Sequence, residues 1–155
     1  MVLVIHTIFS VSALLAGIIF LMPKGTKKHK IIGYAYVFSM VICLITSFGL
    51  FNLWKGFGVY HALSIVSFLT LAIALYFPIA GRKKKNWAEL HLLWMGYSYV
   101  GLVMAAGSHM FLVVPEWPNW LRIMVFWVLP YVFGSVLIIK NKSETAKKAV
   151  QNIGN

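Results

Sequence analysis

Five histidines, His6, His29, His61, His91 and His109, carry most of the chemistry this sequence can offer. Neutral imidazole ligates zinc, copper, nickel and iron, and its charge changes near physiological pH. The run LHLLWMGYSYVGLVMAAGSH, residues 90–109, holds two of these rings and no formally charged side chain. On an α-helix the eighteen steps from His91 to His109 cover about 27 Å and about five whole turns. Both rings therefore share one face, nearly a membrane thickness apart. Other chemistry is thin. The chain has no Asp, and its three acids are Glu89, Glu116 and Glu144. None falls inside an apolar run, so paired-carboxylate acid–base catalysis has no material to work with. Ser64 and Ser108 lie close to histidines but lack the orienting acid of a hydrolytic triad. GFG at 56–58 reads as a tight turn, and no phosphate-binding glycine loop is present.

The elements that must position these rings follow from composition. Of the 155 residues, 61% are hydrophobic, which leaves too little polar surface for a water-soluble globule. Five uncharged stretches, 2–22, 31–53, 58–80, 90–114 and 123–139, are each long enough to span about 30 Å of hydrocarbon. Without water to satisfy the backbone they should be helices. The fold expected is all-α: a bundle of five transmembrane helices over 1–140, with a basic tail over 141–155. Pro130 should bend the fifth span and free the carbonyl of Phe126. The tail NKSETAKKAVQNIGN is expected to be disordered rather than a surface helix.

Fourteen Lys and Arg give a formal charge of +11, but they fall in short clusters between apolar runs, so they orient the chain in a bilayer and do not bind nucleic acid. Lys24, Lys27, Lys28 and Lys30, Arg82 to Lys85, and Lys140, Lys142, Lys147 and Lys148 share one side; Lys55 and Arg122 lie opposite. The imbalance puts the N-terminus outside and the tail in the cytoplasm of a bacterial cell membrane. Trp54, Tyr60, Trp117 and Trp120 suit the outer aromatic belt, Tyr34 and Trp87 the inner one. The first span has no basic n-region and no small-residue cleavage site, so it should be retained rather than removed as a signal peptide. Cys43, the lone cysteine, lies within a span and reads as packing.

Placed by depth, the histidines form two layers. His6, His61 and His109 sit about a turn inside the outer ends of three spans, and His29 and His91 lie near the inner ends of two. The outer trio has the ligand count of a zinc or copper site with an open position, which Glu116 in the outer loop could complete as fourth ligand or general base. Facing pairs, His29 with His91 or two of the outer three, could instead hold a haem b iron as cofactor-binding residues. A third reading involves no metal: the rings hydrogen-bond carbonyls, lipid phosphates or Glu89. Helical faces favour convergence inside the bundle. His91 shares its face with Met95 and Ser98, His6 shares its own with Ser10, Ala13 and Gly17, and span two turns Tyr36, Ser39, Cys43 and Ser47 to one side.

KGTKKHKIIGYAYVFSM at 24–40, GFGVYHALSIVSF at 56–68 and NWAELHLLWMGYSYVGL at 86–102, together with the His6 helix, resemble a family of small bacterial integral membrane proteins. That family is known as domain of unknown function twenty-three-oh-six. His91, Met95 and Ser98 are the most distinctive part of the likeness, which covers roughly Met1 to His109. The resemblance implies a polytopic bacterial membrane protein and supplies no activity. The functions in view are therefore a membrane protein with a metal or haem site used in redox or metal-assisted chemistry, and a non-enzymatic subunit or assembly factor with structural histidines. Either would work in the bilayer beside a membrane protein partner or a second copy. A transporter is disfavoured by the absence of a midplane charge or an inverted repeat.

Overall fold

The computed structural model describes residues 1–50 and 58–154, and among these every regular element is helical. Helix α1 spans Val2–Ala16, α2 Lys27–Ser47, α3 Val59–Ile79 and α4 Trp87–His109. A short α5, Asn119–Ile123, runs through a π-helical turn at Met124–Val128 into α6, Leu129–Gly154. Four helices are long and apolar enough to cross a membrane. The first apolar stretch is built in two parts: α1 covers about 22 Å, and the 3₁₀ segment Gly17–Leu21 adds about 10 Å. Most of the expected WKGFG connection, with Trp54 and Lys55, lies outside the described residues.

Local chemistry sets the helix ends. Thr26 caps α2, its hydroxyl accepting from the His29 amide at 3.2 Å. Gly25 before it takes φ +82°, with the Ala149 carbonyl 2.5 Å from where a Cβ would stand, so only glycine fits. This cap starts α2 four residues earlier than the apolar run does. Pro130 comes two residues after the end of the π-helical turn, the kind of local adjustment that accommodates a proline missing its amide.

Helix α4 is the centre of the bundle, packed on α1, α3 and α6, while α1 lies along α2. The core gathers Ala13, Tyr36, Met40, Leu71, Ala74, Met95 and Leu102, whereas Leu15 (72% exposed), Phe38, Leu69 and Phe133 point outward. An apolar exterior of this extent suits lipid, not water. Without a hydrophobic driving force between helices in lipid, side-chain hydrogen bonds and close approach must hold them. Tyr36 Oη and Ser98 Oγ meet at 3.0 Å between α2 and α4; the Tyr99 hydroxyl donates to the Leu14 carbonyl at 3.1 Å; Ser47 Oγ donates to Ser64 Oγ at 2.8 Å. Trp127 Nε1 donates to Ser108 Oγ at 2.9 Å. A Cβ on Gly134 would sit 2.4 Å from Val100, so α6 approaches α4 more closely than any side chain there would permit.

The expectation of a disordered tail is corrected: α6 stays helical to Gly154. Asn152 Nδ2 donates to the Lys24 carbonyl at 2.8 Å, Ala146 is buried, and Lys148 pairs with Glu144 one turn away. Low apolar content misled, because three or four small or apolar residues on one face are enough to dock a helix on an existing bundle.

Replacing Tyr36 by Phe should destabilise the fold by about 1 kcal/mol, in the range of interhelical hydrogen bonds in membranes. Ser98→Ala should cost a similar amount and the double variant little more than either, as measured by reversible unfolding in mixed micelles; full additivity would mean the pair contributes no coupling.

Candidate functional site

His91 is held by a defect in a neighbouring helix. Pro78, four residues after Ala74, has no amide to offer the Ala74 carbonyl, so α3 carries an unfilled acceptor at that level. The Nδ1 of His91 fills it at 2.8 Å. A carbonyl only accepts, so Nδ1 bears the proton and the Nε2 lone pair is left for a ligand. Ring N–H bonded to a carbonyl, with the other nitrogen free, is the arrangement that orients ligating histidines.

His91 lines a cavity of about 320 Å³ at the basic end of the bundle, within the lower range of small-molecule sites. His29 lines the same cavity and lies within electrostatic reach of His91 and Lys24; its Nδ1 is enclosed and has no hydrogen-bond partner. The walls are mainly apolar, from Ile19, Val37, Leu75 and Met95, and the tail closes one side with Ala146, Ala149 and Ile153. Lys24, Lys30 and Arg82 supply its cations. Lys24 donates to the Ile19 carbonyl and lies 5.5 Å from the centre of the Phe20 ring, and burial pushes its ammonium down to about 8 from an ordinary 10.5. Arg82 Nε donates to the Pro78 carbonyl at 2.6 Å, and its guanidinium sits 5.7 Å from the Trp87 ring.

At the opposite end, His6 Nδ1 donates to the Cys43 carbonyl, with Thr46 Oγ1 also at 3.1 Å, and so presents Nε2 in the same tautomer as His91. His109, exposed at the last turn of α4, lies within electrostatic reach of it. His61 behaves differently. It is 2% exposed, and its Nδ1 accepts the Gly58 amide at 3.1 Å, closing the first turn of its own helix. Neutral His61 therefore carries its proton on Nε2 and has no lone pair left for a metal.

The three rings expected in the outer layer are thus used differently. Among the described residues no group of three or more His, Cys, Asp or Glu side chains could hold a metal ion, so His6, His61 and His109 are not gathered as three ligands. Helix capping took His61 away. Glu116 is exposed in its loop and adds no fourth ligand, and Glu89 lines a neighbouring groove with Lys85 and Lys147. His29 and His91 line one cavity, and His6 and His109 lie within electrostatic reach of each other. Sequence reasoning missed Pro78, Lys24 and Arg82 as parts of the site. The proline was legible, since its place four residues after Ala74 announces a free carbonyl one turn back.

A family model described as "Predicted membrane protein (DUF2306)" matches residues 3–141, which takes in all the apolar helices and stops at the start of the tail. No curated protein and no solved structure matches the chain.

His91→Ala should destabilise the fold by about 1–3 kcal/mol, the cost of a buried unsatisfied acceptor. In a Pro78→Ala background the restored amide can take the Ala74 carbonyl, so the same change should cost clearly less. A double-mutant cycle by unfolding in micelles reads the difference, and equal costs would mean that His91 does not serve that carbonyl. For Lys24, the folded ammonium loses its proton near pH 8 and the unfolded one near 10.5, so between these values the unfolded chain binds more protons and stability rises with pH. The burial penalty is fully present below about pH 8. Lys24→Met should flatten that rise, and a slope unchanged in the variant would exclude Lys24 as its source.

Proposed function

The chain belongs to the DUF2306 family of predicted membrane proteins, and we propose that it serves in the membrane as a redox subunit holding haem b or a transition metal on paired histidines. His29 and His91 form one pair and His6 with His109 the other. The observation that carries this reading is His91, whose Nδ1 is committed to the carbonyl freed by Pro78 and whose Nε2 is left to ligate from the wall of an apolar cavity. His6 repeats the tautomer at the other end. Haem iron, when bound, supplies one-electron transfer at a potential set by its axial ligands and surroundings. The chain's own part is to fix ring orientation through backbone carbonyls, to exclude water with Leu75, Met95 and the tail, and to balance acidic groups with Lys24 and Arg82. The basic end faces the cytoplasm of a bacterial cell in this reading, by the excess of Lys and Arg there. A partner membrane protein or a second copy would supply or accept the electrons.

A second reading, a non-enzymatic subunit with structural histidines, is favoured at His61 alone, where the ring caps a helix.

Purified protein should show a Soret band, or stoichiometric zinc or copper by elemental analysis, and His91→Ala should lose the species at the basic end. His61→Ala should lower thermal stability and leave the bound species in place. Protein carrying neither haem nor metal, after expression with haem precursor and metals supplied, would sink the redox reading.

A further inference from the structure

The charges around the cavity are out of balance. Lys24, Lys30 and Arg82 line it, and among the described residues no carboxylate does. Among the described residues the one ion pair of a carboxylate with a cation is Lys148 with Glu144, out on the tail surface. The nearest acid in sequence, Glu89, faces the neighbouring groove. The contacts that Lys24 and Arg82 do make are to neutral carbonyls and aromatic faces, which orient a cation without neutralising it. A half-buried cation beside apolar walls is costly unless an anion completes it.

The geometry points to a recognition site for the acidic end of an amphiphile: a carboxylate or phosphate held between Lys24 and Arg82 with Lys30 beside them, its apolar body lying among Val37, Leu75 and Met95. The planar Arg82 fork suits either oxyanion, and its carbonyl contact through Nε leaves the two terminal nitrogens for the ligand. The docked tail walls one side of the site, since Ala149 and Ile153 stand beside the Gly25 loop next to Lys24 and Asn152 ties the tail to that loop. The inference shares the cavity with the redox reading but does not require histidine ligation. Haem carboxylates and the phosphate of an anionic phospholipid present the same chemistry.

Two titrations of the full chain in neutral detergent distinguish the sources. In one, phosphatidylglycerol is compared with phosphatidylcholine by native mass spectrometry; in the other, haem is compared with its dimethyl ester by absorbance. The acidic form should bind about tenfold more tightly in at least one arm, the scale of one charge-assisted hydrogen bond. K24Q/R82Q should bring that preference to within about twofold. K27Q/K28Q removes the same charge from exposed positions off the cavity and should keep it. Preference confined to the lipid arm, and surviving His91→Ala, supports the site while the redox reading fails; preference in the haem arm supports both. Equal binding of acidic and neutral forms in both arms would overturn the proposal, as would loss of preference in K27Q/K28Q equal to that in K24Q/R82Q. Should the double variant not fold, K24Q and R82Q are read singly against the same limits.

Discussion

A carbonyl without a partner has nowhere to turn in hydrocarbon, and Pro78 creates such a carbonyl at Ala74. Much of the bundle's basic end follows from how that debt is met. The His91 ring crosses from α4 to α3 to accept the role, which fixes the register of those two helices and the tautomer of the ring together. Met95 and Ser98, on the same face, then fall into the core, and Ser98 meets Tyr36 on α2. One missing amide thus organises three helices and leaves Nε2 of a cavity-lining ring out of that bond.

The same rule sorts the other histidines. His6 gives its Nδ1 proton to a carbonyl of α2 and joins α1 to it, so a ligating lone pair survives. His61 receives an amide from Gly58, so its lone pair is spent on helix initiation. Two rings expected in one layer therefore end in opposite chemical states. Depth in the membrane says where an imidazole is; its hydrogen-bond partner says what it can do.

Charge follows a different logic at each scale. Over the whole chain lysine and arginine gather between the apolar helices, and most of these side chains stay exposed. At the cavity, half-buried Lys24 sits with exposed Lys30 and Arg82 beside apolar walls, with no carboxylate among the described lining residues, and the tail helix forms one wall. The closeness of this docking depends on Gly25, whose positive φ and missing side chain let the Ala149 carbonyl approach the loop.

Much of the architecture is legible in the sequence. The apolar runs predicted helices at the right places because lipid forbids unpaired backbone, and the shared face of His91, Met95 and Ser98 turned inward as its spacing implied. The boundaries moved where a local cap outweighed hydropathy, as at Thr26, and the tail was misread because docking needs only a narrow apolar stripe. Of the candidate site, the sequence offered a layering of rings from several spans, His29 with His91 near the basic end and His6, His61 and His109 near the other. Sequence by itself determined the helices and their charge asymmetry, since these are properties of single segments. Only the tertiary structure decided that His61 caps a helix, that His91 answers Pro78, and that Lys24, Arg82 and the tail meet around one cavity. Those are relations between segments far apart in the chain, and hydrogen-bond partners, unlike periodicity, leave no mark along it.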